Sequence, residues 1–233
     1  EAIKRKINKK TKLIFMANPN NPTGTYVNRR ELEEFIRELP EHVILVLDEA
    51  YDAFIDVDDF PRSLNYLNGS ANQDLKNKNI IILKTFAKAY GLAGLRIGYA
   101  ISSPEAIAYM EIARQPFNVN SLAQAGAIAA LDDKKFLSST RKINLEGKKY
   151  LYDRLKEMGI AYVPTAANFI LIDIRNEGVK LFKDMLKFGV IIRDMQQYGL
   201  KNYVRVSIGT KRENQRFIRM LKKILYRSHG SKN

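Results

Sequence analysis

Three short apolar runs decide most of what this chain can become. Residues 13–17 read Leu-Ile-Phe-Met-Ala, 43–47 read Val-Ile-Leu-Val-Leu, and 80–83 read Ile-Ile-Ile-Leu. Each is too short for an independent helix or a membrane span. Continuous apolar character without polar alternation is the pattern of strands buried on both faces, as in a parallel sheet under helices. Each run also stops abruptly at polar residues. The first meets Asn18-Pro-Asn-Asn-Pro-Thr-Gly24, the second Asp48-Glu-Ala-Tyr51, and the third Thr85-Phe-Ala-Lys88, with Arg96 eight residues beyond Lys88.

The intervening segments read as helices. Asn28 caps a helix over 29–38 whose Leu32, Phe35, Ile36 and Leu39 lie along one side. Residues 56–79 are polar and predict loops with one short helix. A strand is expected at 97–101, a helix opened by Pro104, an alanine-rich helix over 119–131, and a long charged helix over 134–158 ended by Gly159. Beyond it, 169–174 and 203–208 read as strands, and 178–188 and 211–226 as helices. The last helix turns Phe217, Ile218, Leu221 and Leu225 inward and leaves its basic residues wet. The predicted fold is α/β with a mostly parallel sheet, followed by a small α+β unit. The expected division is a large domain over 1–145 and a small C-terminal domain over 146–233, hinged within the 134–158 helix.

Composition narrows the chemistry. Cysteine is absent, which excludes thiolate metal sites, iron–sulfur clusters and cysteine nucleophiles. The two histidines, His42 and His229, cannot make a histidine-rich metal site, and His42 reads as a loop residue. Thirty-nine Lys and Arg against 25 Asp and Glu give a net charge of +14, with the surplus gathered at the two ends. Such charge attracts anions, but no nucleic-acid-binding motif accompanies it, so no nucleic-acid partner is expected. No membrane partner is expected either. The start has neither the apolar stretch of a secretion signal nor an initiator Met, and a cytoplasmic location is expected.

In an open α/β sheet, ligands bind beyond the carboxyl ends of the strands, where all three polar clusters fall. Together they offer an amide, a carboxylate, a phenol, a hydroxyl, an amine and a guanidinium. Pyridoxal 5′-phosphate needs this set. Lys88 would supply the Schiff-base amine, and Asp48 the carboxylate beside the ring nitrogen. Asn21 and Tyr51 would hydrogen-bond the 3′-oxygen, and Thr85 and Arg96 would bind the phosphate. Singly, these residues have plainer readings. Asp48 could cap a turn, Tyr51 could be a core aromatic, and Arg96 or Arg205 could belong to structural ion pairs.

The segments NPNNPTG, DEAY and TFAKAYGLAGLRIGY resemble the signatures of fold-type I pyridoxal-phosphate-dependent aminotransferases, and within them the histidinol-phosphate branch. GVIIRDMQQYG around Arg193 and NYVRVSIGTKRENQRFI around Arg205 extend the resemblance over about residues 11–226. It implies that Arg205 clamps the substrate α-carboxylate and Arg193 the substrate phosphate, with Asn168, in the matching segment ANFILID, as a further substrate-binding residue. It also implies a homodimer that moves an amino group between histidinol phosphate and 2-oxoglutarate or glutamate. Two departures stand out. Ala87 replaces the serine usual before the lysine, and the chain begins at what is the middle of the large domain in the family. A truncated chain, inactive alone, is therefore expected. The alternatives are a threonine-phosphate decarboxylase, an aromatic or broad-specificity aminotransferase, and a non-catalytic fragment.

Overall fold

The computed structural model describes residues 1–67, 75 and 78–227. The chain divides into two compact units, one of residues 1–20 and 26–137, the other of residues 21–25 and 138 onwards.

In the first unit, β1 (Leu13–Ala17), β2 (Ile44–Asp48) and β3 (Ile80–Thr85) run parallel and adjacent, and β4 (Gly98–Ile101) pairs antiparallel with β3. The register pairs Ala17 with Asp48 and Asp48 with Leu83, so all three parallel strands release their chains at one edge. Helix α1 (Arg29–Arg37) makes the β1–β2 crossover. It begins in a capping box: the Asn28 side chain accepts from the Glu31 N–H (3.0 Å), and Glu31 Oε2 accepts from the Asn28 N–H (3.2 Å). Its Leu32, Phe35 and Ile36 are buried against Ile14, Leu45, Leu47, Ile80 and Ile82. At about 1.5–3 kcal/mol per large apolar side chain, that face outweighs the cap, which contributes about 1 kcal/mol. A single turn, α2 (Leu64–Leu67), precedes β3.

β2 and β3 are buried as their sequence predicts, whereas β1 alternates. Ile14 enters the core, while Leu13 is exposed and Phe15 is 70% exposed. β1 ends the strand order, and the core reaches only its Ile14 face, so period-two burial replaces the expected two-sided burial. Helices α3 (Pro104–Ala113) and α4 (Ser121–Asp132) follow, capped by Ser103 and Asn120. No residue of α3 is buried. His42 lies in an exposed loop, its ring 3.3 Å from the Asn8 carbonyl; His229 and part of the 56–79 segment lie outside the described residues.

The second unit holds most of the long helix α5 (Lys134–Glu157). Its antiparallel sheet has the order β5 (Ala161–Val163), β6 (Phe169–Asp173), β8 (Tyr203–Ser207), β7 (Arg193–Asp194). With α6 (Gly178–Leu186) and α7 (Lys211–Arg227) it encloses Leu151, Leu155, Ile170, Ile172, Met185 and Leu221. Gly147 lets α5 approach closely, since a Cβ there would stand 2.6 Å from Ile208 and 2.7 Å from Asn214. β5 and β7 were not expected from the sequence; runs of three and two residues carry no periodicity.

Candidate active site

The first unit carries five of the residues singled out by sequence: Asp48, Tyr51, Thr85, Lys88 and Arg96. Because β1, β2 and β3 are parallel, Asn18, Asp48 and Thr85 emerge at the same edge. Asn18 is buried and closes the base of the Asn/Pro-rich loop. Its amide donates to the Val27 carbonyl (3.1 Å), and its oxygen accepts from the Val27 N–H (2.8 Å). Half-buried Asp48 accepts a bond from the Ala50 N–H (3.1 Å), the turn cap its position allows. An ionised carboxylate keeps further lone pairs for a ligand. Tyr51 is buried, and the Lys88 ammonium lies 5.2 Å from the centre of its ring. The lysine is itself exposed, an amine open to a ligand beside a phenol. The Thr85 hydroxyl accepts from the Ala87 N–H (3.0 Å) and lies 3.5 Å from the Ile97 carbonyl. Exposed Arg96 adopts φ +55° and donates to the Ala93 carbonyl (2.8 Å).

Beneath this edge is a charged cluster that the sequence reading passed over. Lys84 Nζ bonds Glu49 Oε2 (2.8 Å) and Asp52 Oδ2 (2.5 Å), and the Ser63 hydroxyl donates to the other oxygen of Glu49. Burial raises the Glu49 carboxyl above the usual range, against the attraction of Lys84. Burial alone would lower the Lys84 ammonium, but the carboxylates of Glu49 and Asp52 outweigh it and hold its pKa above the ordinary value. The available signal was a lysine inside an apolar strand, a residue that is rarely so covered unless paired.

Asn21, Asn168, Arg193 and Arg205 belong to the second unit. The 21–25 segment is seated there by the Ala166 N–H, which donates to the Gly24 carbonyl (2.8 Å). Gly24 has φ +75°, and a Cβ on it would collide with the Thr165 side chain, so only glycine meets both conditions. Arg205 donates to the Asn21 side-chain oxygen, and its guanidinium lies 5.0 Å from the centre of the Phe169 ring. Half-buried Asn168 precedes β6, its carbonyl accepting from the Ile208 N–H (2.8 Å). Exposed Arg193 donates to Gln197 Oε1 (2.8 Å). The antiparallel register sets Arg193 directly opposite Arg205. Like charges so placed repel, and their side-chain partners here, Gln197 and Asn21, are neutral amides. An anionic ligand would relieve that repulsion.

Among the described residues, no cluster of three or more His, Cys, Asp or Glu could hold a metal ion, and no helix is long and apolar enough to cross a membrane.

The family model for class I and II aminotransferases matches residues 1–221. A histidinol-phosphate aminotransferase of Moorella thermoacetica is 45% identical over 219 residues, covering 94% of this chain and 55% of that protein. The chain thus spans little more than half the length of this curated relative. The crystal structure of a histidinol-phosphate aminotransferase from Sinorhizobium meliloti, in complex with pyridoxal-5′-phosphate, superposes with a TM-score of 0.83. Its sequence identity is 28%, over 97% of this chain and 59% of that one. An L-threonine-O-3-phosphate decarboxylase from Porphyromonas gingivalis reaches a TM-score of 0.79 at 25% identity, over 97% of this chain and 68% of that one.

Proposed function

The chain belongs to the class I and II aminotransferases, and on that premise we propose that the intact protein moves an amino group between L-histidinol phosphate and 2-oxoglutarate or glutamate, with pyridoxal 5′-phosphate as cofactor, in histidine biosynthesis. The observation that carries the substrate is the cross-strand pair of Arg193 and Arg205. Two guanidiniums directly opposite each other on adjacent strands suit one strongly charged anionic group, and their planar forks suit the phosphate of histidinol phosphate and the carboxylate of glutamate, bound in turn. The 45% identity to a histidinol-phosphate aminotransferase supports the same choice.

The donor set fits the cofactor. Lys88 presents an exposed amine beside Tyr51, and Asp48 stands at the strand edge. When bound, pyridoxal phosphate supplies an electron sink for the pair left as the substrate Cα–H bond breaks. Lys88 would hold the cofactor through its amine, and that amine, when free, would take the proton from the substrate Cα as a general base. Asp48 would hold a proton on the ring nitrogen. Tyr51 and Asn21 would donate to the 3′-oxygen, and Thr85 and Arg96 would hold the phosphate. Arg205 would bind the α-carboxylate of glutamate or 2-oxoglutarate and, on histidinol phosphate, which has no carboxylate, the phosphate that stands in its place; Arg193 would bind the same phosphate, and Asn168 would contribute to the same pocket. The cofactor-binding part is the large domain over 1–145, with the small domain over 146–233. The protein works in the cytoplasm as a homodimer. Support for the dimer comes from α3, an apolar helix with no buried residue.

Replacing Arg193 by Ala in the intact protein tests the assignment. KM for histidinol phosphate rises between about ten- and a hundredfold, the value of a lost charge-assisted bond, while glutamate is spared. Equal losses for both substrates would sink the phosphate assignment. Carbon dioxide release without a need for 2-oxoglutarate would identify the decarboxylase instead.

A further inference from the structure

Lys84, Glu49, Asp52 and Ser63 have no part in the chemistry above, yet they form a compact charged cluster immediately beneath it. The Lys84 side chain is 15% exposed and that of Glu49 only 4%. Such a group is stable only when its charges are paired and its hydrogen bonds made. Lys84 meets both conditions by bonding Glu49 and Asp52, while Ser63 occupies the other oxygen of Glu49. The backbone adds two ties: the Glu49 N–H donates to the Leu83 carbonyl (3.0 Å), and the Asp52 N–H to the Glu49 carbonyl (3.1 Å).

The spacing gives the cluster its meaning. Glu49 directly follows Asp48, and Asp52 directly follows Tyr51, so the residues gripped from below alternate with those offered to the cofactor. Lys84 immediately precedes Thr85, the proposed phosphate contact on the same strand, and pairs across the sheet with Tyr99. Tyr99 is the further titratable side chain facing the cluster from β4, its phenol raised chiefly by its burial.

We propose that Lys84 is a positioning residue: held between Glu49 and Asp52, it fixes the 48–52 turn so that Asp48 and Tyr51 present their carboxylate and phenol to the pyridine ring. It touches neither cofactor nor substrate and acts through the turn. This inference rests on the cofactor reading of the preceding section.

The test uses the intact protein loaded with pyridoxal 5′-phosphate, in wild type and in Lys84→Met, Lys84→Arg and Leu32→Ala. Leu32 is a core residue of the same unit and serves as the stability control. The readouts are the dissociation constant of the cofactor and the pH midpoint of its absorbance change. Lys84→Met is expected to weaken cofactor binding about tenfold, less than the roughly hundredfold that an ångström of misplacement can cost in rate. It should also move the midpoint upward by about half a pH unit or more, as one positive charge leaves the turn and the ring contacts loosen. Lys84→Arg restores both readouts, and Leu32→Ala lowers only the melting temperature. If Lys84→Met behaves like Leu32→Ala, the positioning role is wrong while the cofactor reading stands. If borohydride traps no adduct on Lys88 in wild type, the cofactor reading fails, and this inference fails with it. Should Lys84→Met not fold, Asp52→Asn breaks one arm of the grip at a partly exposed site; unchanged affinity and midpoint there overturn the proposal.

Discussion

Arg96 is an L-residue held at φ +55° in an exposed turn, a conformation that costs about 1–2 kcal/mol for any side chain with a Cβ. Glycine would occupy it freely. Strain of this kind persists where the side chain has a task, and phosphate binding is the task proposed here. Arg96→Gly should therefore melt at the same temperature as wild type or higher, yet bind pyridoxal phosphate at least about tenfold more weakly, as expected when a charge-assisted bond is lost. Parallel thermal melts and absorbance titrations check both halves, and a variant that binds normally removes Arg96 from the phosphate site. Arg205 makes a second prediction at this scale. Lysine keeps its charge but loses the planar fork, so under the proposed activity Arg205→Lys in the intact protein should lower kcat/KM for histidinol phosphate and glutamate alike, by about ten- to a hundredfold. That pattern differs from the selective loss expected at Arg193. The placement of Asp48 at the end of β2, and of Tyr51 and Lys88 three residues beyond β2 and β3, was legible from the apolar runs that precede them. Lys84 and Gln197 were not, because their partners, Glu49 and Asp52 in one case and Arg193 in the other, are fixed by tertiary packing and local turn geometry that no pattern encodes.

Helix ends set the next scale. Helix α7 opens on a reciprocal pair in which Glu213 Oε2 accepts from the Thr210 N–H (2.7 Å) and hydroxyl (2.7 Å). Those bonds lower the Glu213 pKa below its ordinary 4.5. A lowered folded-state pKa means the ionised form is preferred in the native state, so the contribution is complete above pH 4.5 and is lost as pH falls through the lower folded value. Glu213→Gln should flatten that acid limb of the stability curve and leave the neutral-pH slope unchanged; an unaltered acid limb would assign the sensitivity elsewhere. Gly147 governs the approach of α5 to Ile208 and Asn214. Gly147→Ala should lose about 1–3 kcal/mol by overpacking, despite a gain in helix propensity of up to about 1 kcal/mol. Denaturant titration measures the net. The long elements were legible from periodicity and capping, and α1, α3, α4 and α7 start at or within a residue or two of their expected positions. β1 departed because burial of a strand depends on what covers each face, and its apolar letters do not record that. β5 and β7 escaped because pairing with β6 and β8 makes them strands.

For the whole molecule, the apolar surface of the first unit is the main unspent feature. Ile112 is 82% exposed and Phe117 98% exposed, the latter at φ +57° between α3 and α4. Side chains of this kind become interface anchors when a partner covers them. If the intact protein forms the proposed dimer through this surface, Ile112→Asp and Phe117→Asp should shift its sedimentation towards monomer; unchanged sedimentation would remove this surface from the proposed interface. The path of the chain adds a consequence of its own. Five residues, Asn21–Thr25, belong to the second unit although the residues on either side of them belong to the first. A gene cut between codons 137 and 138 would therefore not yield two whole pieces. The downstream product would lack the partner of the Ala166 N–H, the occupant of the Thr165 contact and the amide that Arg205 grasps. Like a garment closed by one stitch taken from the opposite panel, the C-terminal unit is encoded in two places, and a fragment meant to reproduce it must carry residues 21–25 on a linker.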